Sequence, residues 1–125
     1  MANTNKEIVE AINASFAKNE IDGFLKYCAD DIKWTMVGEK VTKGKDTVRE
    51  WLRSMADVEP PKFTVTNLVG EGDVVVANGD MTMKDKDGKT ESYSYCDIYN
   101  FKNGKVGELT SFVMKTDNTK QSASA

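Results

Sequence analysis

The stretch Tyr93-Ser94-Tyr95-Cys96-Asp97-Ile98-Tyr99-Asn100-Phe101 sets one carboxylate among aromatic rings. In an extended chain alternate side chains share a face. Tyr93, Tyr95, Asp97, Tyr99 and Phe101 then form one wall, and Ser94, Cys96, Ile98 and Asn100 form the other, smaller side. A carboxyl among rings loses hydration, and that raises its pKa. Asp97 is therefore a candidate acid/base or ligand anchor. The competing reading is an Asp bonded to backbone, or a wet one near a strand end, since structural networks perturb carboxylates too.

The chain has no histidine, which narrows the chemistry further. Ser-His-Asp and Cys-His nucleophile systems are excluded. Cys28 and Cys96 cannot fill the four positions of a zinc site, so no metal and no cofactor are expected. Acid/base work at neutral pH falls to Asp, Glu, Tyr, Lys or Cys with a shifted pKa. Asp85-Lys86-Asp87-Gly88 lacks the later ligands of a calcium loop and reads as a hairpin turn. Two cysteines are too few for a disulfide framework and read as buried free thiols.

Composition sets the class. The 125 residues suit one domain, with 39% hydrophobic and 30% charged residues. A net charge of -3 argues against nucleic acid as a partner. No apolar run approaches the roughly 18 residues of a membrane span, so no membrane partner is expected. Met1 to Ser15 is polar and has no signal-peptide core, which makes the cytoplasm the expected location. Asn13-Ala14-Ser15 matches a glycosylation acceptor but falls inside a predicted helix of a chain without a secretory signal.

The elements that must position Asp97 follow from periodicity. Thr4-Asn5-Lys6-Glu7 reads as a capping box, and Ile8, Val9, Ile12 and Phe16 recur at helical spacing behind it. A second helix is predicted over Asp22 to Cys28, broken by Ala29-Asp30-Asp31. Ile32 to Met36 alternates as a strand, and Gly38 to Gly44 reads as a loop. A third helix is predicted from Asp46 to Met55, with Val48, Trp51, Leu52 and Met55 on one side. Pro60-Pro61 closes that half. Strands are then predicted over Lys62 to Val69, Val74 to Lys84, Thr90 to Lys102 and Val106 to Lys115. Asp87-Gly88 and Asn103-Gly104 mark hairpins. One domain is read over 1–117, with a polar tail, 118–125, expected to be disordered. The fold class is α+β: three N-terminal helices packed against a strongly curved, mainly antiparallel sheet.

This order resembles the SnoaL-like branch of the nuclear transport factor 2-like superfamily. The residues that carry the likeness are Tyr27 to Trp34, Lys43 to Arg49 and Cys96 to Val106. The resemblance implies a cone whose open end admits a small hydrophobic molecule, and a homodimer through the outer face of the sheet. Similar folds serve as polyketide cyclases, ketosteroid isomerases, dehydratases, epoxide hydrolases and non-catalytic binding modules, so individual positions must decide. Set without gaps from the Gly104 turn, the epoxide-hydrolase Arg position falls on Asn78 and its Asp on Asp80. Its second Asp falls on Ser111, and its Tyr-x-Asn pair on Trp34 and Met36. Only Asp80 matches, and that set cannot hold and activate a water in the same way. In the isomerase and cyclase branches a pocket carboxylate removes a proton next to a carbonyl. By that likeness Asp97 is the base, and Tyr93, Tyr95 or Tyr99 donates to the oxyanion.

The remaining assignments follow from position. Trp34, Met36, Trp51, Leu109 and Ser111 are expected to line the cone beside the tyrosines, although core packing is the favoured explanation of the tryptophans. Met81 and Met83 take the buried parity, which leaves Asp80 exposed. In the last strand Leu109, Ser111 and Val113 share one face, while Thr110, Phe112 and Met114 share the other. Two mostly apolar faces both call for cover, and Phe112 and Met114 are the expected dimer contacts. The rival reading is a non-catalytic binding or protein-interaction module whose cone is filled by its own side chains.

Overall fold

A computed structural model describes residues 4–54, 61–85 and 87–116. Its elements are α1 (Thr4–Ala17), α2 (Ile21–Leu25), β1 (Cys28–Met36), β2 (Lys40–Lys43), α3 (Lys45–Arg53), β3 (Lys62–Glu71), β4 (Val74–Lys84), β5 (Thr90–Lys102) and β6 (Lys105–Lys115). The predicted Met55, Pro60 and the tail 118–125 lie outside the described residues.

The strands form one six-stranded sheet in the order β2-β1-β6-β5-β4-β3. The antiparallel meander β3 to β6 is the one the turn residues predict. Asn103 and Gly104 both take positive φ, 54° and 82°, as the tight β5–β6 hairpin requires. The Asp85 carboxylate accepts the backbone N–H of Asp87 and of Lys89, each at 2.9 Å, and so serves its own hairpin.

Two assignments are corrected. The predicted loop from Gly38 to Gly44 contains strand β2, which pairs antiparallel with β1. It is short and carries Lys40 and Lys43, as a sheet edge protected from further pairing does. The second helix stops at Leu25, so Cys28 and the supposed breaker Ala29-Asp30-Asp31 belong to β1. Cys28 pairs with Val106 of β6 and the ladder resumes with Lys33 opposite Glu108, so Asp30 and Asp31 lie in the register shift between them, where weak strand propensity is tolerated. That β1–β6 pair is parallel, a closure that no local sequence signal announces.

Three irregularities bend the sheet. The register shifts between Val65 and Asn67 on β3, between Asn100 and Phe101 on β5 and between Cys28 and Lys33 on β1. Such bulges bend a strand and sharpen its twist. At the first, Gly79 of β4 is required, because a Cβ there would run into the backbone carbonyl of Thr64.

The helices cover the concave face. Val9 and Ile12 of α1, Phe24 and Leu25 of α2 and Val48 of α3 are buried against Ile32, Val75, Ala77, Tyr99, Phe101, Val106 and Leu109 of the sheet. Asn13 is buried with them.

Candidate functional site

β5 carries the site. From Tyr95 onward its odd residues face the core: Tyr95, Tyr99 and Phe101 are buried, and Asp97 is partly buried between them. Ala77 of β4 and Ser111 of β6 flank Asp97 across the sheet. Burial pushes the Asp97 carboxyl from 3.8 up to about 6, and a hydrogen bond from the Ser111 hydroxyl pulls it back part of the way. Neither Tyr95 nor Tyr99 bonds to Asp97 among the described residues; Ser111, its cross-strand partner, is the hydroxyl beside it. Cross-strand neighbours lie about 5 Å apart, closer than next-but-one residues of one strand, so the short serine reaches where the long tyrosines pass by.

Ser111 is itself buried and accepts the indole N–H of Trp34, Nε1 to Oγ 3.0 Å. Trp34 is fixed by an aromatic cluster. Its ring meets Phe24 at 5.4 Å and Trp51 at 5.0 Å, both edge-on, and Phe16 at 6.1 Å. The Lys40 ammonium stands over the Trp51 ring at 4.9 Å.

The three candidate tyrosines separate. The Tyr95 hydroxyl donates to the Thr64 carbonyl at 3.1 Å, and its ring stands edge-on to Phe63. Tyr93 turns toward a surface depression of about 390 Å³ beside Lys62, Phe63 and Met81. Tyr99 is fully buried, and its hydroxyl has no hydrogen-bond partner among the described residues. Burial and the nearby Asp97 hold it well above the usual phenol pKa. Tyr95 is raised to about 12, again chiefly by burial.

A model of the SnoaL-like domain matches residues 9–109. The chain belongs to this family. Among solved structures it is similar to an NTF2-like protein of unknown function from Cytophaga hutchinsonii. The two share 27% identity and a TM-score of 0.74 over 87% of this chain and 98% of the other. An LEH-like epoxide hydrolase from M. tuberculosis superimposes with a TM-score of 0.77 at 15% identity, over 86% of this chain and 80% of that one. The epoxide hydrolase/cyclase-like enzyme SalBIII, of pyran ring formation in salinomycin, does so at 0.78 and 19% identity, over 88% and 90%. Likeness at that identity speaks for the fold alone. Among curated proteins none matches the chain.

Within this SnoaL-like chain, Asp97, Ser111, Trp34, Tyr95, Tyr99 and Leu109 come together on or against the concave face. Met36 and Trp51 are half-buried at its margin, packed against the core. Tyr93 stands apart at its depression. Asp80 is exposed on the convex face, where its carboxylate accepts from Ser94 Oγ at 3.0 Å. Asn78 takes the same parity. The gap-free epoxide-hydrolase placement therefore puts its Arg and first Asp positions on the face of the sheet away from the helices. Phe112 and Met114 are exposed on the convex face, at 40% and 67%.

A second depression, about 530 Å³, lies between α2 and Arg53 and is lined by Glu20, Asp22 and Lys26. Neither depression touches Asp97. Sequence reading did not place Phe16 and Phe24 at the site. Their inward position at helical spacing was visible, but which side chain they would meet was not. The thiols are poor nucleophiles here: burial pushes Cys28 up to about 12 and raises Cys96 as well.

Proposed function

We propose that this SnoaL-like chain binds a small, hydrophobic, partly oxygenated molecule and acts on it as a cofactor-free isomerase, cyclase or lyase. The observation that carries this reading is the pairing of Asp97 with Tyr99. A partly buried carboxyl at about 6 is mostly ionised at neutral pH and still basic enough to take a proton. Two residues along the same face, Tyr99 offers a buried hydroxyl with no partner among the described residues. Asp97 would remove a proton next to a carbonyl, and the Tyr99 O–H would donate to the oxyanion that forms. Returning the proton to another carbon isomerises the ligand; losing a leaving group or closing a ring diverts the same intermediate. The aromatic surroundings suit a flat, apolar ligand body.

Exchange of ketone α-protons in D₂O, followed by NMR with β-tetralone as the first probe, tests this. Wild type should accelerate exchange and Asp97→Asn should abolish it. Tyr99→Phe should slow it by about 10²–10³. No acceleration by wild type across a panel of cyclic ketones would remove the catalytic reading.

One observation favours a second reading, a non-catalytic binding or interaction module. Phe16, Phe24, Trp34 and Trp51 pack ring to ring where a ligand would enter, as a cone filled by its own side chains would. Both readings include a homodimer through the convex face. Phe112 and Met114 of β6 lie exposed there, and Val74 of β4 at 38% and Val69 of β3 at 59% are exposed further across the sheet. The two free cysteines suit a reducing cytoplasm. No helix among the described residues is long and apolar enough to cross a membrane.

A further inference from the structure

The hydrogen bond between Trp34 and Ser111 has a direction. An indole N–H donates and never accepts. At 3.0 Å it occupies one lone pair of the buried Ser111 Oγ, and the serine's own proton must find an acceptor elsewhere. The cross-strand partner of Ser111 is Asp97, which makes that carboxyl the acceptor next to the hydroxyl. We propose that Trp34 and Ser111 form a one-way relay, indole to hydroxyl to carboxyl, that positions Asp97. The proposal rests on the reading of Asp97 as the working carboxyl, although the relay itself does not depend on turnover.

Both ends of the relay are held. The indole is wedged between Phe24 and Trp51, so Nε1 cannot swing away from Oγ without breaking two edge-on contacts. Asp97 and Ser111 are register partners in two paired strands. A relay that delivers a proton toward the carboxyl favours the ionised form and opposes the cost of burial. A protonated Asp97 still accepts from Ser111 through its carbonyl oxygen, but more weakly than the carboxylate does. The titratable groups around Asp97 are Tyr95, Tyr99 and the Cys96 thiol, all on its own strand and all pushed toward their neutral forms. From the other elements come Ala77 of β4, Ser111 of β6 and Trp34 of β1, which do not titrate. The relay is thus the device that sets how readily Asp97 holds its charge and which way its oxygens point.

Indole proton–nitrogen NMR against pH, run beside carbon NMR of the Asp97 carboxyl, tests it on the full chain. The Trp34 N–H resonance should titrate with the midpoint of Asp97 and should be flat in Asp97→Asn. Ser111→Ala should uncouple the two and raise the Asp97 midpoint by about one unit. Ser111→Thr should restore the coupling. Trp34→Phe should raise the midpoint by less, because the hydroxyl remains. A Trp34 resonance that ignores Asp97 titration overturns the relay, and so does coupling that survives Ser111→Ala. If the variants fold poorly, the wild-type and Asp97→Asn titrations decide alone. An intact relay without ketone exchange would sink only the catalytic reading.

Discussion

The two faces of strand β5 share one backbone and one set of neighbours, yet meet different ends. On the concave face Tyr95 and Tyr99 are buried, and Asp97 is shifted to about 6. On the convex face Ser94 finds only the exposed Asp80, while the adjoining Phe112 and Met114 of β6 remain open. The same residue type behaves accordingly: Asp97 is the perturbed carboxylate and Asp80 lies exposed one strand away. Alternation assigns each side chain a face, but desolvation comes from the helices, which cover one side of the sheet.

The largest effect that would break this contrast is on stability. Tyr99→Ala should cost about 3–5 kcal/mol by leaving a cavity in a fully buried site, whereas Met114→Ala in the monomer should stay within about 0.5 kcal/mol. Denaturant midpoints measure both. Equal losses would mean that the convex face is as structural as the core.

A second contrast is in pH dependence. The Asp97 pKa is raised on folding, from 3.8 to about 6. Its favourable contribution is complete below pH 3.8 and is lost as pH rises through about 6, because the unfolded chain releases that proton first. Asp97→Asn should therefore stabilise the protein at neutral pH by roughly 1–3 kcal/mol, and the gain should vanish below about pH 4. Marked destabilisation by Asp97→Asn at neutral pH would make Asp97 a structural residue and favour the binding-module reading.

The convex face is sharpened by assembly. Light scattering at low micromolar concentration should give the mass of a dimer for wild type and of a monomer for a Phe112→Asp, Met114→Lys double variant with its secondary structure intact. A wild-type monomer would return this face to water and leave its apolar residues without a role. The smallest effect concerns Tyr99. Removing its unpartnered hydroxyl in Tyr99→Phe should leave stability unchanged or raise it by about 1 kcal/mol in the ligand-free protein. A loss of that size would show that the hydroxyl has a partner in solution.

Periodicity and turn chemistry were legible at the level of elements. The α1 stripe of Val9, Ile12 and Phe16 and the Asn103-Gly104 turn appear where the spacing puts them. The aromatic wall of β5 was legible too, since strand parity is exact along a regular ladder. Strand β2 was not, because four residues with two lysines carry too little apolar pattern and gain their pairing only from β1. The start of β1 at Cys28 was missed for the same reason: its partner, Val106, is 78 positions away in the chain.

The sequence by itself determined which residues are available for chemistry: no histidine, two cysteines, and one carboxylate set among rings. It also determined which face of β5 that carboxylate shares, because side-chain alternation is a property of the local backbone. Only the tertiary structure decided what Asp97 meets. The parallel closure of β1 on β6 brings Trp34 to Ser111, and the β5–β6 register brings Ser111 to Asp97. The rings of α1, α2 and α3 then close over that line. Those contacts join residues far apart in the chain, and hydrogen bonding and desolvation act over a few ångströms of space whatever the separation in sequence.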